Sequence, residues 1–221
     1  MRVITDGKLI DETLARSVDS IYPSRDALKS AFLSGRRLRV YLGVDPTGKH
    51  LHLGNLTNFL LLRRLQKLGH EIILLIGDFT ARIGDPTDKL AARKPLTERE
   101  VKDNLKTFKN QIGRVLPFGG SNAAGVKLNS KWLSKMSFAD VVKLASNFTV
   151  QQMIERDMFE ERIKKEKPIG LHEFLYPLMQ GYDSVAIDVD VEVGGTDQTF
   201  NMLAGLTLVK AYKNKEKFVI T

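Results

Sequence analysis

The chain contains no cysteine, which excludes disulfide frameworks, thiolate zinc sites, iron–sulfur clusters and cysteine nucleophiles. Long hydrophobic runs are also missing, because Phe59 to Leu62 and Ile72 to Ile76 are far shorter than the roughly 20 residues that a membrane-spanning helix needs. The first residues mix acids and bases without a continuous apolar stretch, so no secretory signal is visible. We therefore expect a cytoplasmic protein that does not enter a membrane.

The composition is that of an ordinary globular protein with an excess of positive charge. With 43% apolar residues, 7 prolines and 17 glycines, the chain can bury a core. Its 34 lysines and arginines outnumber 26 acids, and the net charge of +8 favours polyanionic partners such as nucleotides or RNA. Residues 89–114 alone carry eight basic and three acidic side chains. That segment is either a solvated helix face capped by Thr97 or a surface that faces phosphate groups.

Residues 38–77 have the pattern of a strand, a helix and a second strand. Leu38 to Val44 is an apolar run that ends in a turn-forming Asp-Pro-Thr-Gly sequence. Apolar residues recur at helical spacing from Asn55 to Leu68, with Gly69 as a stop signal, and Glu71 to Gly77 is again strand-like. Short connections between these elements predict a right-handed parallel unit. We therefore predict an α/β fold with a Rossmann-like, doubly wound parallel sheet.

The rest of the chain is predicted to be mainly helical. Helices are expected over Thr149 to Ile163, over Leu171 to Tyr182 and from Asp197 to about Tyr212, with a strand at Ser184 to Val189. The first of these helices has an apolar stripe that indicates core packing or a subunit interface. The stripe consists of Val150, Met153, Ile154, Met158 and Phe159.

The predicted domain organisation has three parts. Residues 1–37 form an N-terminal helical segment, and residues 38–221 form the sheet-containing domain. Small residues near 117–125 indicate the edge of a helical connective insertion at about 115–165.

The first loop after the predicted strand has three possible interpretations. Gly43 to Lys49 matches the Gly-x-x-x-x-Gly-Lys part of a phosphate-binding P-loop, but His50 cannot supply the hydroxyl that such a loop offers to Mg²⁺. Pro46 to Asn55 fits better as a strand end followed by a helix N-terminus, where Thr47 and His52 can donate to phosphate oxygens. A metal clip at the two histidines of this loop is the weaker alternative, because few other soft ligands are available.

Short blocks of the sequence carry a recognisable pattern in a fixed order. They are Tyr41 to Asn55, Gly77 to Lys89, His172 to Asp183 and Gly194 to Gln198. The first block resembles the first strand and the HIGH signature of class I aminoacyl-tRNA synthetases. The second is similar to the second strand and mobile loop of the tyrosyl-tRNA synthetases, and the third to their tyrosine-binding helix. The resemblance extends over nearly the whole chain from about residue 36.

The resemblance implies a pocket for L-tyrosine. Tyr41 and Asp183 would hold the phenol hydroxyl of the substrate, and Asp85, Tyr176 and Gln180 would receive its α-amino group. The residue types fit this task, because a buried phenol needs both a hydrogen-bond donor and an acceptor.

The resemblance also implies a site for ATP, which would enter with Mg²⁺. Asp197 would bind the ribose, and Gln198 would lie near the reacting carboxylate. The residues assigned to ATP binding are Gly43, Asp45, Gly54, Asn55, Gly194, Gly195, Asp197 and Gln198. Those assigned to the charge on the leaving pyrophosphate are Thr47, His52, Lys89 and Arg93.

The implied function is that of the catalytic domain of a tyrosine–tRNA ligase. Such an enzyme makes tyrosyl-adenylate and transfers the tyrosyl group to tRNA(Tyr), and the resemblance also implies a homodimer. Ser134 to Ser137 imitates the second class I signature, KMSKS, but precedes the implied tyrosine-binding helix. We therefore expect the KMSKS loop and the anticodon-binding domain to be absent from this chain, which would bind tyrosine but be impaired in catalysis.

Two departures and two alternatives stand beside this interpretation. Asn55 occupies the position of the final histidine of HIGH, and Leu42 replaces a residue that contacts the ribose in some tyrosyl enzymes. A tryptophanyl enzyme is the alternative within the class, favoured by Asn55 and disfavoured by the pair Tyr41 and Asp183. A non-catalytic synthetase-like module that binds RNA is the alternative from a different class.

Overall fold

The computed structural model describes residues 2–85 and 96–221. One mixed sheet organises this part of the chain. Its strands are β1 (Ile21–Tyr22), β2 (Arg39–Val44), β3 (Glu71–Ile76), β4 (Gly125–Leu128), β5 (Val191–Val193) and β6 (Phe218–Ile220). The strand order is β1-β6-β5-β2-β3-β4, and every pair is parallel except β1 with β6. The predicted α/β fold with a largely parallel sheet is confirmed.

Helices surround the sheet within the described residues. They are α1 (Gly7–Ala15), α2 (Arg25–Leu33), α3 (Leu53–Lys67), α4 (Glu98–Gly113), α5 (Ser130–Leu133), α6 (Phe138–Ala145), α7 (Val150–Ile154), α8 (Asp157–Lys164), α9 (Leu171–Ala186) and α10 (Thr199–Lys213). Short 3₁₀ turns occupy Thr80–Arg82 and Thr196–Gln198. None of these helices combines the length and apolar character that crossing a membrane requires.

The strand order places a topological switch point at the centre of the sheet. From β2 the chain continues outward through β3 to β4, whereas β5 and β6 lie on the other side of β2. Connections that leave neighbouring strands in opposite directions open a crevice at the carboxyl ends of those strands. The predicted strand, helix and strand at residues 38–77 are confirmed as β2, α3 and β3, with parallel pairing of the two strands.

Alternation along β2 directs one polar aromatic residue away from the main core. Val40, Leu42 and Val44 belong to the largest apolar cluster, together with residues of α1, α2 and α3. Tyr41 lies on the opposite face with Ile187 and Val189 and has no exposed surface. Successive residues of a strand point to opposite faces, so Tyr41 points away from the main core and toward the side of the sheet where α9 lies.

Two glycines allow α9 and α10 to approach closely. A Cβ atom on Gly181 would lie 3.0 Å from the backbone nitrogen of Gly205 and 2.8 Å from Leu208 Cδ1. Larger residues at this crossing would force the helices apart. The close approach keeps the polar residues of α9 near β5 and α10.

The strand predicted at Ser184 to Val189 is wrong. Ser184 to Ala186 form the last residues of α9, Ile187 to Val189 form the turn that follows it, and β5 begins after them. Val185 packs in one apolar cluster with Leu178 and Leu208, so helical spacing outweighs the β-branched character of the run. The helix ends where Asp188 adopts a left-handed conformation with φ of 52°.

The single helix predicted over Thr149 to Ile163 is also wrong. It is divided into α7 and α8, and Arg156, at the N-terminal boundary of α8, is 5% exposed. Met153 and Phe159 are buried, whereas Val150 is 67% exposed. The predicted apolar stripe is therefore not one continuous surface face, because part of it packs inside the chain.

The predicted parts of the chain share one sheet. The N-terminal segment at 1–37 contributes β1 to this sheet and Leu28 and Phe32 to the main core. Residues 115–165, predicted as a helical insertion, include β4, which pairs with β3. That strand belongs to the sheet, and the assignment of the following helices to an insertion stays a prediction.

Candidate active site

A cleft of about 720 Å³ opens at the switch point. Its volume is in the range of small-molecule sites. The structure brings fifteen of the predicted site residues into its lining. These are Tyr41, Gly43, Asp45, Thr47, His52, Gly54, Asn55, Asp85, Tyr176, Gln180, Asp183, Gly194, Gly195, Asp197 and Gln198. Lys89 and Arg93, predicted for the same site, lie outside the described residues.

The buried end of the cleft is built around Asp183. Trp132 Nε1 donates to Asp183 Oδ1 at 2.7 Å, and Asn129 Nδ2 donates to Asp183 Oδ2 at 3.2 Å. Burial raises the pKa of Asp183 well above its ordinary value, and these two hydrogen bonds oppose the shift. Asp183 is 2% exposed. Trp132 lies in α5 and Asn129 directly precedes this helix, so the two donors hold the carboxyl group in one orientation.

Tyr41 presents its hydroxyl beside this carboxyl group. The Tyr41 and Ser184 hydroxyl oxygens are 2.9 Å apart. Burial, followed by the charges of Glu192 and Asp183, raises the pKa of Tyr41 well above its ordinary value. Tyr41 is therefore a neutral phenol that can both donate and accept a hydrogen bond.

Asp45 forms a second polar centre, at the end of β2. Thr80 Oγ1 donates to Asp45 Oδ1 at 2.7 Å, and Tyr176 Oη donates to Asp45 Oδ2 at 2.9 Å. Burial raises the pKa of Asp45 to about 7, although both hydrogen bonds lower it. A Cβ atom on Gly77 would lie 1.7 Å from Asp45 Oδ1, so this position must be glycine for the carboxyl group to occupy its site.

Asp85 is held by residues from two other elements. Gln198 Nε2 donates to Asp85 Oδ2 at 2.7 Å, and Arg156 Nη2 lies 3.5 Å from Asp85 Oδ1. The guanidinium carbon of Arg156 lies 5.7 Å and 5.4 Å from the ring centroids of Phe159 and Phe200, within cation–π range. Burial lowers the pKa of Arg156, and the charge of Asp85 counteracts that shift.

The three residues predicted to receive an α-amino group line one cleft but have different partners. Tyr176 contacts Asp45, and Asp85 contacts Gln198. Gln180 Nε2 donates to Glu192 Oε1 at 3.2 Å. Asp45, predicted for ATP, therefore lies in direct contact with a residue predicted for tyrosine.

The open end of the cleft lies at the start of α3. The His52 backbone N–H donates to Asn55 Oδ1 at 3.1 Å, which gives the asparagine of the HIGH-like motif a capping role. Thr47, His52 and Gly54 are exposed, and the helix N-terminus supplies positive potential there. A Cβ atom on Gly43 would meet no atom within 4 Å, so that glycine leaves open space next to the strand end.

Gly194 and Gly195, which follow β5, are closely packed against other side chains. A Cβ atom on Gly194 would lie 2.6 Å from Met202 Sδ, and one on Gly195 would lie 2.4 Å from Asp197 Oδ1. Both glycines therefore permit the turn that brings Asp197 to the cleft. Gln198 Oε1 accepts a hydrogen bond from Asn201 at 2.9 Å, which orients its amide.

Several residues that hold the site were missed by sequence reasoning. They are Gly77, Thr80, Asn129, Trp132, Arg156, Ser184, Glu192 and Lys217. Gly77 and Thr80 lie in a block that already carried the resemblance, and Trp132 is the single tryptophan of the chain. The others gave no signal, because their role depends on which elements the fold brings together.

Comparisons with known proteins identify the family of the chain. Residues 33–221 match the family model described as tRNA synthetases class I (W and Y). The chain therefore belongs to this family of class I tRNA synthetases.

Curated relatives of the chain are named tyrosine–tRNA ligases. A tyrosine–tRNA ligase of Carboxydothermus hydrogenoformans is 49% identical over 214 residues, which cover 95% of this chain and 51% of the relative. One of Haemophilus ducreyi is 46% identical over 208 residues, covering 94% and 52%. The chain thus spans about half the length of the curated relatives that it matches.

Solved structures show the same fold. A C-terminally truncated mitochondrial tyrosyl-tRNA synthetase of Coccidioides posadasii superposes with a TM-score of 0.81 at 26% identity, covering 97% of this chain and 66% of that one. The Archaeoglobus fulgidus enzyme, solved with L-tyrosine, gives a TM-score of 0.77 at 25% identity over 97% of this chain and 63% of that one.

Proposed function

We propose that this chain is the catalytic domain of a tyrosine–tRNA ligase and binds L-tyrosine in the cleft at the switch point. The observation that carries the proposal is the pair of Tyr41 and Asp183 at the buried end, each held by its own hydrogen-bond partners. A phenol hydroxyl entering between them can form a hydrogen bond with each. Phenylalanine would offer neither group the additional hydrogen bond that a phenol supplies in this buried place, which is costly.

The α-amino group of tyrosine would lie among Asp85, Tyr176 and Gln180. Their oxygen atoms can accept from an ammonium group, and Asp45 contributes a further carboxyl beside Tyr176. The substrate carboxylate would then point toward Gln198 and the open end of the cleft.

ATP would occupy the open end and bring Mg²⁺ with it as part of the substrate. Gly43 and Gly54 would border the adenosine, Asp197 would bind the ribose, and Gly194 and Gly195 would pass close to it. Exposed backbone beside small residues suits a nucleotide, because it allows close approach.

In the proposed reaction the tyrosine carboxylate attacks the α-phosphorus of ATP, and pyrophosphate leaves. The nucleophile is already an anion, so the protein needs to position the reactants and stabilise charge rather than remove a proton. Thr47 and His52 are the described residues that we assign to the leaving pyrophosphate, and Lys89 and Arg93 are assigned there by sequence alone. Transfer of the tyrosyl group to tRNA(Tyr) would follow.

Calorimetry and isotope exchange together test this function. We expect the chain to bind L-tyrosine more tightly than phenylalanine or tryptophan, by about a hundredfold or more. ATP–pyrophosphate exchange with each amino acid then reports adenylate formation. Preference for tryptophan would favour the tryptophanyl alternative, and RNA binding without amino-acid binding would favour the non-catalytic module.

We also propose that the chain forms a homodimer and works in the cytoplasm, as expected from sequence. Large apolar side chains on α6 and α9 support self-association: Phe138 is 84% exposed and Leu171 is 83% exposed. Sedimentation velocity of the chain and of Phe138→Ser tests this. A monomer at all concentrations would contradict the homodimer.

A further inference from the structure

A buried ion pair lies directly behind the proposed tyrosine pocket. Lys217 precedes β6 and has no exposed surface, and its Nζ atom contacts Glu192 Oε2 and donates to Met202 O at 3.0 Å. Glu192, in the middle of β5, is 2% exposed and lines the cleft. Burial lowers the pKa of Lys217, and the charge of Glu192 counteracts this. Fully buried lysines are rare unless they are paired.

Glu192 connects this lysine to the pocket in two directions. Its Oε1 atom accepts from Gln180 Nε2 at 3.2 Å, and its Oε2 atom accepts from Ser184 Oγ at 3.3 Å. Ser184 in turn lies 2.9 Å from the Tyr41 hydroxyl. Hydrogen bonds through Glu192 therefore connect Lys217 to Gln180, which is proposed to bind the amino group of tyrosine, and to Tyr41, which is proposed to bind its phenol hydroxyl.

The charge of Glu192 determines the direction of the hydroxyl chain. An ionised carboxylate can only accept hydrogen bonds, whereas each hydroxyl group has one proton to donate. When Ser184 donates to Glu192, the Tyr41 proton is directed to Ser184. The Tyr41 oxygen then presents acceptor lone pairs to the cleft, where a phenol hydroxyl can donate to it.

The fold reserves space for this arrangement. A Cβ atom on Gly205 of α10 would lie 2.3 Å from Lys217 Nζ, 3.0 Å from Ser184 Oγ and 3.4 Å from Glu192 Oε2. Even alanine would displace the ammonium group from its site. The close approach of α9 and α10 is thus coupled to the placement of the ion pair.

We propose that Lys217 is a positioning residue for tyrosine recognition, which fixes Glu192 and thereby orients Gln180, Ser184 and the Tyr41 hydroxyl. The inference rests on the proposed function and adds a specificity determinant outside the cleft lining. Without the ammonium group, the buried carboxylate turns away from its partners or becomes neutral. In either case Gln180 and Ser184 lose a fixed, ionised acceptor.

The test compares ligand affinities of Lys217→Met with those of the unaltered chain. We expect the Kd for tyrosine, measured by calorimetry, to rise about tenfold. The Kd for phenylalanine, measured by ligand-observed NMR titration, and that for a non-hydrolysable ATP analogue should change by less than about twofold. The matched control is Lys215→Met, which removes a lysine paired with Asp190 outside the cleft and should alter none of the three.

A second pair of variants separates positioning from general stability. Glu192→Gln should lower the preference for tyrosine over phenylalanine by itself, since an amide can both donate and accept and no longer fixes the Ser184 proton. Adding Lys217→Met should then change that preference by less than about twofold, because Lys217 acts through the carboxylate. The double variant buries no unpaired charge, so it keeps the test available if Lys217→Met does not fold.

The outcomes distinguish the inference from the function on which it rests. If the unaltered chain fails to bind tyrosine, the proposed function is wrong and the role of Lys217 is wrong with it. If the unaltered chain binds tyrosine while folded Lys217→Met, or the double variant, keeps the full preference over phenylalanine, the inference alone is overturned.

Discussion

The two ends of the cleft are built in different ways. At the buried end, Asp183 and Tyr41 are enclosed, and their polar atoms already have protein partners. At the open end, Thr47 is exposed in the loop before α3, and His52 is exposed at the start of that helix. The first end is organised before a ligand arrives, whereas the second offers donors next to a helix N-terminus.

This difference indicates how binding and rate are divided. A preorganised, buried set of partners discriminates between ligands, because a wrong ligand leaves polar groups unsatisfied. Exposed donors cost little to leave free and can act when charge develops on a leaving group. Changes at the buried end should therefore alter amino-acid affinity, and changes at the open end should alter the rate of adenylate formation.

The largest effect is expected for Asp183→Asn. The amide group cannot accept from both Trp132 and Asn129 while also serving a phenol, so tyrosine affinity should fall by on the order of a hundredfold. Calorimetry measures the affinity, and thermal melting verifies that the variant is folded. An unchanged affinity in a folded protein would remove Asp183 from tyrosine recognition.

A pair of glycine substitutions compares the two ends within one experiment. Gly77→Ala introduces a Cβ atom 1.7 Å from Asp45 Oδ1 and 2.4 Å from Thr80 Oγ1, so we expect a loss of about 1–3 kcal/mol in the free energy of unfolding. Gly43→Ala meets no atom within 4 Å and should leave the melting temperature unchanged.

The same pair should differ in ligand binding. Gly43→Ala fills the space through which the proposed adenosine approaches, so it should weaken binding of an ATP analogue and leave tyrosine affinity unchanged. Gly77→Ala should weaken tyrosine binding through Asp45 and Tyr176. Equal melting temperatures for the two variants would show that the close contact at Gly77 relaxes without cost.

The sequence predicted the parts of the fold that local patterns specify. The strands at residues 39–44 and 71–76 and the helix between them follow from apolar runs and turn residues. The strand predicted over Ser184 to Val189 was wrong, because the first half of this run is the end of a helix whose packing neighbours are distant in sequence. Local propensity could not reveal the packing of α9 against α10.

The site was predictable only where residues stand in recognisable blocks. Tyr41, Asp85 and Asp183 were assigned through such blocks, and the structure brings them into one cleft. Their partners were not predictable in this way. Lys217 and Glu192 are 25 positions apart and form their ion pair only because β5 and β6 are neighbours in the sheet.

A smaller effect is expected at the open end for His52→Ala. The side chain is exposed and the capping contact uses the His52 backbone N–H, so α3 should remain intact. The rate of adenylate formation should fall by about tenfold, because one contact to the leaving pyrophosphate is lost. Tyrosine affinity, measured on the same preparation, should stay within about twofold. A comparable loss of tyrosine affinity would contradict the proposal that the buried end determines amino-acid affinity and the open end determines the rate.

The smallest effect concerns the pH dependence of stability at the buried end. The pKa of Asp45 is raised from 3.8 to about 7, so the folded protein retains this proton more tightly than the unfolded chain does. The stability contributed by the neutral carboxyl group is fully present below about pH 4 and is lost as pH rises through about 7. Asp45→Asn removes this titration while keeping a similar shape.

Melting curves of both proteins across the interval from about pH 4 to pH 8 measure this contribution. Burial lowers the pKa of His70 to about 4, which acts in the opposite sense as the pH falls, but His70 is common to both proteins and cancels in the difference. We expect the stability of the unaltered chain relative to Asp45→Asn to decrease as pH rises toward 7 and then level off. Parallel curves would show that Asp45 is already ionised in the folded protein. The hydroxyl groups of Thr80 and Tyr176 would then be sufficient to stabilise its charge, and the buried end would resemble the open end more closely than the geometry indicates.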